Sequence, residues 1–108
     1  MPANRIFHRL IGARMPHILW AQSRPADAQR GVYLGLMHGL ASTAYGKELG
    51  ITSASDVSRR KDFVRRVPVV TYDALKPWIL RAREGERSVL WPGLTKWFAQ
   101  SSGTTSDQ

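Results

Sequence analysis

The sequence predicts an α/β chain: a mainly helical N-terminal part, followed by short strands that open a larger α/β domain. Three features predict this. Tyr33, Leu36, Met37, Leu40, Ala41 and Ala44 recur at the three- and four-residue steps of one helix face. Prolines, serines, threonines and glycines punctuate the chain up to Gly85 where helices would start and stop. Beyond Gly85, residues 88–91 and 96–101 read as two short strands around a Pro92-Gly93 turn.

The elements follow in order. Asn4 is placed as the N-cap of a first helix running towards Gln22. Pro16 is expected to bend or split it, because proline removes one backbone bond and its ring meets the carbonyl four residues back. Pro25 suits the first position of a second helix. Gly31, Gly35 and Gly39 lie four apart on that helix. Each weakens it by about 1 kcal/mol against alanine, which makes sense where another backbone passes close by. Thr43, Ala44, Tyr45 and Gly46 close the region, and Gly50 ends a short helical turn over residues 47–49. Ser53 and Ser55 are candidate caps for a helix reaching Phe63. Residues 67–70 read as an extended segment that Pro68 confines to an edge or a strand start. Thr71 can cap a helix from Tyr72 to Arg83, with Asp73 in the favoured acidic first turn, Pro77 as a possible split and Gly85 as terminator.

Composition narrows the classes of function. A length of 108 residues allows one small domain at most. The 43% hydrophobic content argues against wholesale disorder. The chain has no cysteine, which removes a disulfide scaffold, a thiolate zinc site and a cysteine nucleophile. No stretch approaches the ~18 consecutive apolar residues of a membrane span. The most apolar one, residues 32–44, is interrupted by His38 and by glycines. No apolar run of a secretory signal follows the N-terminal arginines. A cytoplasmic protein without a membrane partner is therefore expected. Residues 1–26 contain Arg5, Arg9, Arg14 and Arg24 and no acid, as in a mitochondrial leader. Scarce serine and Pro16 favour a first helix docked on a core instead.

The net charge is +8, and residues 1–66 carry 11 basic against 4 acidic side chains. The densest cluster is Arg59, Arg60, Lys61, Arg65 and Arg66. It could be a nucleic-acid footprint or a solvated helix face. No nucleic-acid motif and no interleaved aromatics accompany it, which favours the solvated face.

The chain closes on Ser101, Ser102, Gly103, Thr104 and Thr105, followed by Ser106, Asp107 and Gln108. A strand followed by a Ser/Thr/Gly loop suits phosphate binding. Glycine lets the backbone approach an oxyanion, N–H groups converge, and hydroxyls add short hydrogen bonds. The run is neither a Walker A motif, which needs a following Gly-Lys-Ser/Thr, nor a dinucleotide fingerprint with its repeated glycines. Such loops feed into another strand or helix, so the chain reads as truncated at this point.

A longer series surrounds the loop. Phe63 precedes Val67-Pro68-Val69-Val70-Thr71-Tyr72-Asp73-Ala74-Leu75-Lys76-Pro77-Trp78-Ile79. Arg81, Gly85-Glu86, Leu90-Trp91-Pro92-Gly93 and Phe98-Ala99-Gln100-Ser101-Ser102-Gly103-Thr104-Thr105 follow in order. With Thr43-Ala44-Tyr45-Gly46-Lys47 upstream, this series resembles the N-terminal part of the auxin-responsive promoter (GH-three) family of acyl-acid amido synthetases, in the adenylate-forming superfamily. The resemblance covers residues 28–108 and is close to the bacterial members. It implies that residues 1–108 are the N-terminal portion of a single larger adenylate-forming domain. It implies further that Ser101, Ser102, Gly103, Thr104 and Thr105 hold the phosphates of ATP, with Mg²⁺ bridging phosphate oxygens. The implied substrates are a small-molecule carboxylic acid and an amine or amino acid, joined as an amide through an acyl-adenylate. The acyl pocket, adenine contacts and metal-binding acid would lie further along such a chain. Residues 1–108 alone are therefore expected to be inactive and to bind ATP weakly.

Other candidates carry less. His8, His17 and His38 lack a second ligand at helical spacing and read as surface or packing residues. Trp20, Trp78, Trp91 and Trp97 read as core or rim contacts before ligand platforms. No catalytic residue and no metal ligand is assigned. The alternative function is a small basic nucleic-acid-binding protein. An interaction module using the glycine face ranks below both.

Overall fold

The computed structural model describes residues 2–99. Helices α1 (Pro2–Ser23), α2 (Pro25–Ala41), α3 (Ala44–Glu48), α4 (Arg60–Arg66) and α5 (Tyr72–Arg83) follow one another, with a 3-10 turn at Ala54–Val57 before α4. The mainly helical expectation is met. Among the described residues there is no strand. The chain forms two compact units, Met1–Leu36 and Met37–Gln108.

In the first unit, α1 begins at Pro2 and continues through Pro16 without a break. Asn4 therefore lies inside the helix and is not its N-cap. Pro16 costs one backbone bond, yet the remaining bonds on either side carry a 22-residue helix across it. Pro25 opens α2 as expected. The Arg24 carbonyl accepts from the Ala28 N–H at 3.0 Å, and its guanidinium pairs with Asp27 at 3.3 Å. A Cβ at Gly31 or Gly35 would meet nothing within 4 Å among the described residues. The close approach expected along the glycine row is absent at both positions.

The second unit has a small core of Met37, Ile51, Ala54, Val57, Ala82 and Val89, with Thr43 fully buried among them. Two helix stops build much of it. Gly50 (φ 72°) ends α3, with its N–H on the Lys47 carbonyl and the Ile51 N–H on the Gly46 carbonyl. Gly85 (φ 92°) ends α5 in the same way, its N–H on Ala82 and that of Glu86 on Arg81. This paired arrangement needs a left-handed residue, where glycine carries no Cβ penalty. The first stop turns Ile51 into the core, where it is fully buried.

The region after Gly50 differs from the single helix expected up to Phe63. Ser53 does act as a cap, but of the 3-10 turn alone. The Asp56 carboxylate accepts from the N–H groups of Thr52 and Ser53, each at 3.0 Å. α4 then starts at Arg60, with Arg59 in an extended conformation between the two pieces. α5 also departs from expectation. It is continuous through Pro77, and Thr71 stands at its N-cap position without a side-chain capping bond. Residues 88–91, expected as a strand, form a bent loop. Ser88 has φ 54°, in the left-handed region, which no extended strand can contain. Of the expected strand 96–101, residues 96–99 are irregular; the remainder falls outside the described residues. A strand needs a paired neighbour, and none of the described segments supplies one.

Two predictions follow from these contacts. A Cβ at Gly46 would fall onto the Leu40 carbonyl oxygen, whereas one at Gly35 would meet nothing within 4 Å. In urea unfolding of the chain, Gly46→Ala is expected to destabilise by about 2–3 kcal/mol. Gly35→Ala is expected to stabilise by up to about 1 kcal/mol. The backbone bonds from Thr52 and Ser53 hold the Asp56 carboxyl below its ordinary pKa of 3.8. A carboxylate favoured in the folded state stabilises above that value and loses the benefit as pH falls through its folded pKa. The melting temperature of Asp56→Ala should therefore lie below wild type at neutral pH, with the gap closing below pH 3.8.

Candidate functional site

The five residues expected to form a phosphate loop, Ser101, Ser102, Gly103, Thr104 and Thr105, lie outside the described residues. The structure does describe the platform from which the chain leaves towards them. It is assembled on the turn between α2 and α3. The Thr43 hydroxyl donates to the Leu40 carbonyl at 2.7 Å and accepts from the Gly46 N–H at 2.9 Å. One side-chain oxygen thus closes the end of α2 and caps the start of α3. Gly46 is required because the Leu40 carbonyl occupies the space of a side chain.

The loop after α5 docks on this turn. The Ala44 N–H donates to the Ser88 carbonyl at 2.8 Å, and the Tyr45 N–H to the Val89 carbonyl at 3.0 Å. These two donors belong to the first turn of α3, whose N–H groups have no partner inside the helix. Val89 is buried between them. The Trp91 ring lies over Gly39, so close that a Cβ there would come within 2.7 Å of two ring carbons. Of the three glycines on α2, only Gly39 has a neighbour that explains it, and that neighbour is an aromatic ring rather than a backbone. The loop is then closed on itself. The Ser88 N–H donates to the Gly93 carbonyl at 2.7 Å, and the Gly93 N–H donates to the Ser88 hydroxyl at 3.0 Å.

The aromatic side of the platform is fixed by α5. Trp78 meets Tyr45 edge to face, with ring centroids 5.1 Å apart. The Arg81 guanidinium sits 4.8 Å over the Trp78 ring. It also forms a two-pronged bond to Glu86, at 2.7 and 2.5 Å. This pairing lowers the Glu86 carboxyl pKa and raises that of Arg81. Tyr45 and Trp78 are thus packing residues, and Arg81 is already engaged.

The other sequence candidates disperse. Trp91 and Trp97 are both exposed, Trp97 by 90%. Trp20 stacks with His17 at 5.7 Å in the first unit, beside a shallow groove. His8 and His38 are exposed. Among the described residues no three His, Asp or Glu side chains gather as a metal site requires. Three residues of the basic cluster have partners on the surface of the fold. Arg59 and Arg65 both pair with Asp62, at 3.0 and 3.1 Å, and Arg66 donates to the Gly50 carbonyl at 2.9 Å. Sequence reasoning placed Ser88 at the start of a strand and missed its part in closing the loop after α5. Its only visible signal was a serine between a charged run and a Pro-Gly turn.

Residues 14–108 match the GH3 family N-terminal domain. Among curated proteins, the chain is 37% identical over 82 residues to the indole-3-acetic acid-amido synthetase GH3.3 of Arabidopsis thaliana, covering 74% of this chain and 13% of that protein. It is 39% identical over 69 residues to the indole-3-acetic acid-amido synthetase GH3.8 of Oryza sativa subsp. indica, covering 63% and 11%. It is 37% identical over 81 residues to a probable indole-3-acetic acid-amido synthetase, GH3.12, of Oryza sativa subsp. japonica, covering 74% and 13%. The matched part is thus about an eighth of each relative's length. No solved structure matches the chain at a significant level.

The Thr43 turn can be tested directly. Thr43 is fully buried, and its hydroxyl serves two backbone groups. Thr43→Val keeps the shape and leaves the Gly46 N–H without its partner. A loss of about 1–3 kcal/mol in thermal or urea unfolding is expected.

Proposed function

The chain belongs to the GH3 family, and from that membership we propose that it is the N-terminal portion of an ATP-dependent acyl-acid amido synthetase. The observation that carries this reading is the family match over residues 14–108, which includes the whole platform and the Ser/Thr/Gly run beyond it. In this reading the portion belongs to a single adenylate-forming α/β domain, acts in the cytoplasm and takes small-molecule substrates. It supplies one wall of the ATP site and does not catalyse the reaction alone.

The donor chemistry of Ser101, Ser102, Gly103, Thr104 and Thr105 fits triphosphate oxygens: four hydroxyls, and a glycine whose backbone N–H an oxyanion can approach. Magnesium, when bound, would neutralise charge on the phosphate oxygens. A carboxylate oxygen of the acid substrate attacks the α-phosphorus of ATP. Pyrophosphate leaves, and an acyl-adenylate remains. An amine nitrogen then attacks the acyl carbon and AMP departs, giving an amide. The loop's part is to position the triphosphate and to stabilise charge as it spreads during transfer. Indole-3-acetic acid is the first acid to try, because the three relatives are named for it.

The test is ATP–pyrophosphate exchange by the full-length protein with a panel of carboxylic acids led by indole-3-acetic acid. Wild type is expected to exchange label in the presence of an accepted acid. Ser102→Ala or Thr104→Ala should lower that exchange by about 10²-fold, with the melting temperature little changed. Exchange at the wild-type rate in both variants would remove the phosphate-loop assignment. No exchange by wild type with any acid would remove the adenylating reading.

A further inference from the structure

We propose that the opening turns of α1, residues 5–14, lie on an anionic phospholipid surface as an amphipathic anchor. This role is independent of the synthetase reading, and all but the last of these residues precede residue 14, where the family match begins.

The side chains separate by side. At about 3.6 residues per turn, Ile6, Phe7, Leu10 and Ile11 fall within about 140° of one another, and Arg5, His8 and Arg9 fall on the opposite side. All four apolar side chains are in water: Ile6 and Phe7 are 62% exposed, Leu10 65% and Ile11 46%. The sequence predicts a first helix docked on a core, yet every residue from 4 to 20 is exposed. Arg14 falls on the apolar side at the end of the segment. Its stem can follow the apolar surface while its guanidinium stays among the headgroups.

Charge selects the partner. The chain has no acid before Asp27, so α1 offers cations only. A second copy would bring Arg5, Arg9 and Arg14 against the same residues with no acid to pair them. A nucleic acid would take the arginines and leave Phe7 and Leu10 in water. An acidic protein would need an apolar groove shaped to the helix. An anionic bilayer supplies hydrocarbon for one side and headgroup charge for the other, and asks for no matching shape. No helix among the described residues is long and apolar enough to cross a membrane. That lack of a span is what speaks against a membrane partner, and a helix lying on the surface needs none.

The test is co-sedimentation of the full-length protein with vesicles of phosphatidylcholine, alone or with about 30% phosphatidylserine. Wild type should partition at least about tenfold more strongly onto the anionic vesicles. Raising salt from about 0.1 M to about 1 M should release most of it. Phe7→Glu should lower binding to anionic vesicles at least about tenfold. Arg5→Gln combined with Arg9→Gln should lower it by about fivefold per arginine. Arg60→Gln combined with Lys61→Gln removes the same charge elsewhere and should stay within about twofold of wild type. All five positions are exposed, so melting temperatures and ATP–pyrophosphate exchange should match wild type in every variant. Wild type that leaves anionic vesicles unbound overturns the proposal, whether the face is then covered by the rest of the full-length protein, by a second copy or by an acidic protein. So does an equal loss in the Arg60 and Lys61 variant, which reports net charge alone, and so does undiminished binding by Phe7→Glu. Exchange without vesicle binding removes the anchor alone, and vesicle binding without exchange removes the synthetase reading alone.

Discussion

The second unit depends on one buried hydroxyl. Thr43 joins the last turn of α2 to the first turn of α3, and both groups it serves are backbone groups that a helix end leaves without a partner. With that turn set, the Ala44 and Tyr45 N–H groups point outward as a pair of donors. The loop after α5 uses them in place of a neighbouring strand. Val89 is then buried, Trp91 covers Gly39, and Gly93 closes on Ser88. A threonine fits because a β-branched side chain has few rotamers to lose, and a fully buried hydroxyl is tolerable only with both its donor and acceptor roles filled.

This arrangement gives physical content to the Thr-Ala-Tyr-Gly stretch that helped to mark the family. Thr43 makes the turn, Tyr45 packs on Trp78, and Gly46 yields its side-chain space to the Leu40 carbonyl. The Thr43 hydroxyl is fully used, and Gly46 has no side chain. The charge of Arg81 is shared between Glu86 and the Trp78 face. The motif residues inside the described fold build a support, and the Ser/Thr/Gly run proposed to bind phosphate comes after it in the chain.

Local signals in the sequence were legible where a single residue decides the backbone. Pro25 starts α2, Gly50 and Gly85 stop helices, and Ser53 caps a turn, each for reasons contained within a few neighbours. Pro16 and Pro77 split no helix, because a helix of sufficient length absorbs one missing bond and stays continuous. The strand expected at residues 88–91 misled for a different reason. Its geometry comes from Ala44 and Gly93, the first of which lies far away in sequence, and no local pattern announces a serine in the left-handed region. The basic cluster around Arg59 to Arg66 looked like a surface feature by count. Arg59 and Arg65 are indeed mostly exposed, each paired with Asp62 three residues away, and the Gly50 carbonyl that takes Arg66 is visible only once the chain is folded. The Ser101 to Thr105 run could be proposed from side-chain chemistry alone, whereas the docking of residues 88–93 on the α2–α3 turn could not, because it is made of contacts between distant segments.

Residues 94–99 also bear on how the protein behaves at high concentration. Among the described residues their backbone groups have no backbone partner, and Leu94, Trp97 and Phe98 within them are in contact with water. Unpaired backbone beside exposed apolar side chains favours association with a like segment on another molecule. Lys96 is the only charge within it, so mutual repulsion rests mainly on the net charge of +8 spread over the whole chain. That repulsion acts over a Debye length of about 10 Å at 0.1 M salt and about 3 Å at 1 M. Colloidal stability of this portion is therefore tied to ionic strength, and salt added to keep a basic protein off nucleic acid lets its exposed apolar segments meet.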